Sequence, residues 1–418
     1  MRPKSVLKLL LIGGLVFAAG FIFLNYFLIS RTRNLVFNFI NQQGNATSSL
    51  TQPVSPSKKV IADIEPQQPL ANPPATIKAV YVTGWSAGNT KKIAALINLI
   101  KSTELNAVVI DIKDFSGFIT YNTDLDLVKK YNSKEVRIPQ LNALIKELHD
   151  NNIYAIARLA VFQDPRLALA RPDLALHSSS TQKVWYDKSG LAWIDPAAQE
   201  AWQYNVVIAK DALTRGFDEI NFDYIRFASD GKLNDIQYPF WNGVTPLRTI
   251  IKNFFAYVRG QMPDATLSAD LFGLTTVNTD DLGIGQYFEN ALPYFNYIAP
   301  MVYPSHYNYG FIGYQNPALH PYEVIKYSLD SAISRMIAFK KKLQLAAGTS
   351  TPASALPPIA KLRPWLQDFN LGATYTPAMI RSEIQAVYDS ASTTPEFLNG
   401  WMLWDAANNY TKGALMTE

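Results

Sequence analysis

The chain has 418 residues, 48% of them hydrophobic and 17% charged, a balance that suits a folded protein with a large core and excludes a disordered one. Its net charge of +4, from 38 basic and 34 acidic residues, is too slight to imply nucleic acid, and no dense basic stripe marks the folded part. The absence of cysteine removes disulfides, thiolate metal sites and cysteine nucleophiles.

Near the amino terminus, Leu9–Ile29 is an apolar run whose one polar break is Asn25. About 20 apolar residues span a bilayer, and Arg2, Lys4 and Lys8 precede the run. Hydrophobicity continues well past the small residues Ala18-Ala19-Gly20, so an uncleaved anchor is expected over a cleaved signal peptide or a buried helix. Arg31 and Arg33 follow closely, but the basic residues ahead, with the terminal amine, outnumber them. This predicts a cytoplasmic stub over 1–8, a single transmembrane helix over 9–29, and a folded domain outside the cell membrane. Residues 30–75 read as a flexible linker: from Asn41 onward Gln, Asn, Ser, Thr and Pro dominate without an apolar period.

From residue 76 to 418, short β-branched runs alternate with longer helical stretches, which is the signature of βα units. Strands are predicted over Ile77–Thr83, Ala107–Ile112, Tyr154–Val161, Glu219–Ile225, Thr266–Leu271, Tyr297–Tyr303, Arg363–Phe369 and Trp401–Trp404. Helices are predicted over Lys91–Ser102, Pro139–Asn151, Ala197–Arg215, Pro246–Gln261 and Tyr322–Lys342. Eight such units point to an α/β protein of the (β/α)8 TIM-barrel class. The alternative, a doubly wound open sheet, lacks a glycine-rich phosphate loop after its first strand.

A TIM barrel gathers its chemistry where strands end, and several strands here end in polar residues. On the fourth strand Ile220 and Phe222 share one face, while Glu219, Asn221 and Asp223 share the inward one. A polar column inside a barrel costs several kcal/mol unless it is paired, so a functional reason is favoured, with Asp223 nearest the mouth. The competing reading makes Asp223 a helix cap or a partner of Arg226. The same parity places Ser268 with Asp270, whose bland reading is a turn before Phe272-Gly273. It also places Asp111 with Lys113, and an internal ion pair of Lys113 or Arg158 with Asp111 is the bland alternative there. His306 sits in a strand-end loop, and Tyr303 and Asp405 close the sixth and eighth strands. No two histidines stand at ligand spacing, so neither a metal nor a cofactor is expected.

Eight stretches carry a family resemblance: YVTGWSAG (81–88), NAVVIDIKD (106–114), IARLAVFQDP (156–165), GFDEINFDYIRF (216–227), SADLFG (268–273), IAPMVYPSHY (298–307), RPWLQDF (363–369) and GWMLWDA (400–406). From about residue 78 to 411 the chain resembles a bacterial glycosyl hydrolase domain family, distantly related to the α-amylase and α-galactosidase barrels. The resemblance implies a nucleophilic aspartate ending the fourth strand, the position of Asp223. It also implies a carboxylic acid on a later strand, for which Asp270 is nearest, although the related glutamate is missing. The expected activity is retaining cleavage of an α-linked glycan, with Asp223 attacking and Asp270 protonating the leaving oxygen. Arg226, Asp111, Lys113, Arg158, Tyr303, His306 and Asp405 would hold hydroxyls or tune the acids, and Trp85, Trp365 and Trp404 would stack on sugar rings. The expected partners are a carbohydrate and the membrane. The rival readings are a non-catalytic glycan-binding or envelope-scaffolding barrel and a metal-dependent deacetylase.

Overall fold

A computed structural model of the chain describes residues 62–348, 352 and 355–417. The expected stub and transmembrane run lie outside the described residues. Among the described residues no helix is long and apolar enough to cross a membrane.

Eight parallel strands close into a barrel: β1 Ile77–Val82, β2 Ala107–Lys113, β3 Tyr154–Ala160, β4 Glu219–Asp223, β5 Leu267–Phe272, β6 Tyr297–Met301, β7 Trp365–Gln367 and β8 Gly400–Trp404. Closure comes from β1, which pairs with β8 on one side (Ile77 beside Gly400) and with β2 on the other (Ala79 beside Ala107). Gly400 is required at that seam: its φ is +85°, and a Cβ there would lie 1.8 Å from the Ile77 carbonyl oxygen. The long helices are α1 Thr90–Lys101, α2 Leu141–Asp150, α3 Gln199–Thr214, α4 Leu247–Gln261, α5 Pro321–Ala347 and α6 Pro377–Ser390. Asn89 caps α1 by accepting from the Lys91 and Lys92 amides, and Pro321 and Pro377 occupy first turns, where a missing N–H costs nothing.

Alternation along each strand sorts its apolar residues into two cores. Val80, Val82, Val108, Ile110, Ala155, Ile220 and Phe222 pack outward in the layer shared with the helices. Ala79, Tyr81, Ala107, Val109, Tyr154 and Ile156 point inward and fill the lower barrel with Trp365 and Met402. Both cores are buried, so every polar group set among them needs a partner.

Two departures from the sequence reading have clear causes. The seventh strand is split into Lys361–Leu362 and Trp365–Gln367, because Pro364 between them has no N–H to donate. Residues 62–75, expected to belong to the linker, are seated on the domain. The Asp63 carboxylate accepts from the Asn142 and Ala143 amides at the start of α2, at 2.8 and 3.1 Å. The Leu70 amide donates to Asp218 at 2.6 Å, and its side chain packs against the inner core at the strands' N-terminal end. The base of the barrel exposes apolar residues that must be covered, and Leu70 covers them.

Candidate active site

The C-terminal ends of the strands surround a cavity of about 420 Å³, inside the range of roughly 300–1,000 Å³ common to small-molecule sites. Arg158 of β3, Asp223 ending β4, Phe272 ending β5, Met301 ending β6 and Trp404 ending β8 contribute to its wall. Tyr224 and Arg226 follow β4, and Tyr303, His306 and Tyr307 follow β6. The loop after β6 is tied down at both ends. The Ser305 amide donates to Gln367 of β7 at 3.2 Å, and the Tyr307 hydroxyl meets Ser328 of α5 at 2.8 Å.

Each residue of the inward column of β4 has a partner, although Asn221 Oδ1 accepts no hydrogen bond. At its foot, both Glu219 carboxylate oxygens accept from Arg363 Nη1 at 2.9 Å, with both residues fully buried. In the middle, Asn221 donates to Asp270 Oδ1 at 2.9 Å and to Ser268 Oγ at 3.1 Å. At the top stands Asp223, whose Oδ1 accepts from the Tyr224 amide at 2.6 Å. Tyr224 has φ +52°, a left-handed conformation that is strained for an aromatic residue and ends the strand at Asp223. The register of Asn221 beside Ser268 and Phe222 beside Ala269 brings Asp223 level with Asp270, on strands about 4.8 Å apart.

Arg158 joins the acids. Its Nη1 donates to Asp111 at 2.5 Å, its Nη2 donates to Asp223, and its Nε lies 3.5 Å from Asp270 Oδ2. The guanidinium faces the rings of Trp404 and Tyr81, which stack on each other at 3.8 Å. The Tyr81 hydroxyl donates to the second Asp111 oxygen.

Asp270 differs from Asp223 in access and in charge. It is 1% exposed and does not line the cavity, whereas Asp223 does. Its Oδ1 accepts from Trp365 Nε1 at 2.8 Å, and its Oδ2 has no hydrogen bond. Burial, reinforced by the neighbouring Asp223 charge, pushes its carboxyl up to about 8, which favours the protonated form. A protonated carboxyl beside one ion-paired to an arginine is an arrangement in which acid and nucleophile roles can divide. Burial also lowers the His306 imidazole below its ordinary range.

The predicted residues therefore separate into groups. Asp223, Arg158, Arg226, Tyr303, His306 and Trp404 meet at the cavity. Asp111 and Asp270 are buried beside them and meet Arg158. Trp365 is fully buried and holds Asp270, so it is no stacking platform. Lys113 was placed beside Asp111 by parity, but the register slips between Asp111 and Lys113 and turns Lys113 outward. There it pairs with Asp164 at 2.7 Å and donates to Asn205 of α3, away from the cavity. Trp85 is 63% exposed on the rim, stacked with Arg137 instead of lining the wall. Asp405 accepts from the Ala407 and Asn409 amides and fixes a turn. Tyr81, Phe272 and Met301 were missed, although Tyr81 alternates with the inward Ala79, and Phe272 stands two residues beyond Asp270. Among the described residues no three His, Asp or Glu side chains gather as metal ligands.

Comparison with known proteins places this geometry in context. A family model described as "Putative glycosyl hydrolase domain" matches residues 79–410. A hypothetical protein from Ruminiclostridium thermocellum ATCC 27405 is 36% identical over 49% of this chain and 98% of its own, with a TM-score of 0.43. The PgaB (BpsB) glycoside hydrolase domain from Bordetella bronchiseptica is 12% identical over 80% of this chain and 95% of its own, at TM-score 0.54, a likeness of fold. An α-galactosidase from Thermus thermophilus, TtGalA, solved with stachyose, is 11% identical over 83% of this chain and 65% of its own, at TM-score 0.47. No curated protein matches the chain.

Proposed function

Because this chain belongs to the glycosyl hydrolase domain family whose model spans residues 79–410, we propose that it is a retaining glycosidase acting on an α-linked glycan, with Asp223 as nucleophile. The observation that carries this reading is Asp223 itself, a strand-end carboxylate opening onto the cavity and ion-paired to Arg158. The Asp223 carboxylate attacks the anomeric carbon as the glycosidic C–O bond breaks, and the leaving oxygen takes the Asp270 proton. Water then cleaves the glycosyl ester, returning a proton to Asp270 and freeing Asp223. Retaining enzymes set their two carboxyls about 5 Å apart, and the strand spacing between Asp223 and Asp270 suits that separation. The α linkage rests on the match of Asp223 to the related barrels' nucleophile position.

Asp270 makes the acid role testable through pH. The donor must be protonated, so turnover is expected to fall as pH rises through about 8, the value to which burial lifts this carboxyl. Asp270→Asn should erase that alkaline limb and slow aryl glycosides with poor leaving groups most, because acidic aglycones depart without a proton. Rate against pH and against aglycone pKa measures both. An unchanged alkaline limb in Asp270→Asn would remove Asp270 from the role.

One observation favours a second reading. Asp223 is the one carboxylate among the cavity-wall residues, since Asp270 is buried and does not line the cavity. A barrel that binds a glycan without cutting it would need no more. Screening aryl glycosides and cell-surface polysaccharides for turnover, alongside direct binding, separates the two, and tight binding with no cleavage would establish the binding module.

The location follows from the amino-terminal run. We place the domain outside the cell membrane, held by residues 9–29, on the strength of their apolar length and the basic residues ahead of them. The full-length chain is expected to stay with the membrane fraction through carbonate extraction. Release by high salt alone would contradict the anchor.

A further inference from the structure

Four arginines are buried in the described domain, and three of them face carboxylates: Arg137 meets Asp114 and Glu135, Arg158 meets Asp111, Asp223 and Asp270, and Arg363 meets Glu219. Arg226 is the exception. Its residue is 8% exposed, yet no carboxylate among the described residues lies within ion-pair distance of it. Its Nη1 donates to the Phe227 carbonyl and to Ser229 Oγ, each at 3.0 Å. No described residue accepts from Nε or Nη2, which together form one edge of the guanidinium fork. The plane is fixed by the rings of Trp193 and Phe272, each 4.7 Å away, with Tyr224 at 5.5 Å. Arg226 contributes to the wall of the same cavity as Asp223.

Burying a guanidinium without an anion is costly, and natural sites meet that cost with a paired charge. The nearest acids do not supply it. Asp223 is taken by Arg158. Asp187 accepts from Trp193 Nε1 and from the Ser189 and Leu191 amides, and Asp230 accepts from the Lys188 amide. The free edge, two parallel N–H donors in a rigid plane, matches a planar carboxylate bidentately. The geometry points to Arg226 as the recognition site for the carboxylate of an acidic sugar, so that the glycan taken by this cavity contains uronic-acid units. This rests on the glycan-cleaving reading for the identity of the cavity's occupant, but the charge it requires is tested by binding alone.

The test titrates the full chain in detergent with oligogalacturonate, oligoglucuronate and alginate oligomers, each beside its methyl ester, which keeps the sugar and removes the charge. Sulfated dextran is the control for a non-planar anion. At least one acidic oligomer is expected to bind roughly 10- to 100-fold more tightly than its ester, the range for a charge-assisted hydrogen-bond pair. Arg226→Met, which removes the charge, should bring the ratio of acid to ester binding close to one, while Arg226→Lys should restore part of it. Thermal unfolding checks that the variants remain folded, and the ratio in the unaltered chain decides without them. Equal binding of acid and ester, binding of sulfated dextran alone, or no binding of any acidic oligomer would overturn the assignment. Cleavage of neutral glycosides with no acid preference would sink this inference and leave the hydrolase reading. Acid-selective binding without cleavage of any glycan would do the reverse.

Discussion

Asp223→Asn is expected to abolish turnover while the protein stays folded. The amide preserves the shape of the carboxylate and keeps one of its two oxygens, so one of the two bonds accepted from Arg158 and from the Tyr224 amide survives and the other is lost. It removes the attacking charge, and without a nucleophile the covalent route closes. Loss of such a group costs on the order of 10⁴-fold or more in kcat, because the remaining groups cannot substitute for it. Arg158 keeps Asp111, so the melting temperature should move little. The measurement is kcat on the best substrate beside a thermal melt of each protein. Near-wild-type kcat in Asp223→Asn would show that Asp223 is not the nucleophile.

Arg158→Met should lower stability and kcat/KM together. The guanidinium faces Asp111, Asp223 and Asp270 inside the barrel, and methionine fills much of its volume without its charge. Breaking a buried ion pair from one side costs about 3–5 kcal/mol, since the opposite charge is left uncompensated. For a domain of this size that is roughly a 4–7 °C fall in Tm. The deficit should shrink as pH falls, because orphaned carboxylates can then take up protons. A role confined to packing would stop there. If Arg158 also positions Asp223, kcat/KM should fall as well, because the nucleophile loses the donor that fixes its carboxylate. Arg158→Lys keeps a point charge but cannot reach the acids with one rigid fork, so it should recover only part of both effects. Unchanged Tm and unchanged kcat/KM in Arg158→Met would remove Arg158 from both roles.

Much of this site was legible because strand alternation is local. Ile220 and Phe222 read as outward, and Glu219, Asn221 and Asp223 as inward, from five consecutive residues, and the barrel places them so. Helix bounds were similarly local: Lys91–Ser102 was expected and Thr90–Lys101 is found, with Asn89 as the side-chain cap that sets its start. Where local rules failed, a non-local fact intervened. Parity cannot foresee the slip in register between Asp111 and Lys113 against β3, and that slip sends Lys113 out to Asp164. A tryptophan near a strand end resembles a sugar platform, but depth in the barrel decides whether it meets solvent, and Trp365 lies too deep. Composition made residues 62–75 look like tether, yet the open base of the barrel gives Leu70 an apolar surface to cover.

The sequence by itself determined the alternation of strands and helices, the inward face of each strand and the carboxylate at the mouth of the fourth. All of these follow from periods of two and 3.6 residues and from the polarity of single side chains. Only the tertiary structure decided which inward residues meet. Arg158 reaches three acids because β2, β4 and β5 bring them to one level around β3, and Arg226 lacks an acid because its neighbours are committed elsewhere. The protonation of Asp270 was decided there too, since burial and the proximity of Asp223 raise its pKa. Partnership and depth depend on register between strands far apart in the chain, a quantity that no window of sequence contains.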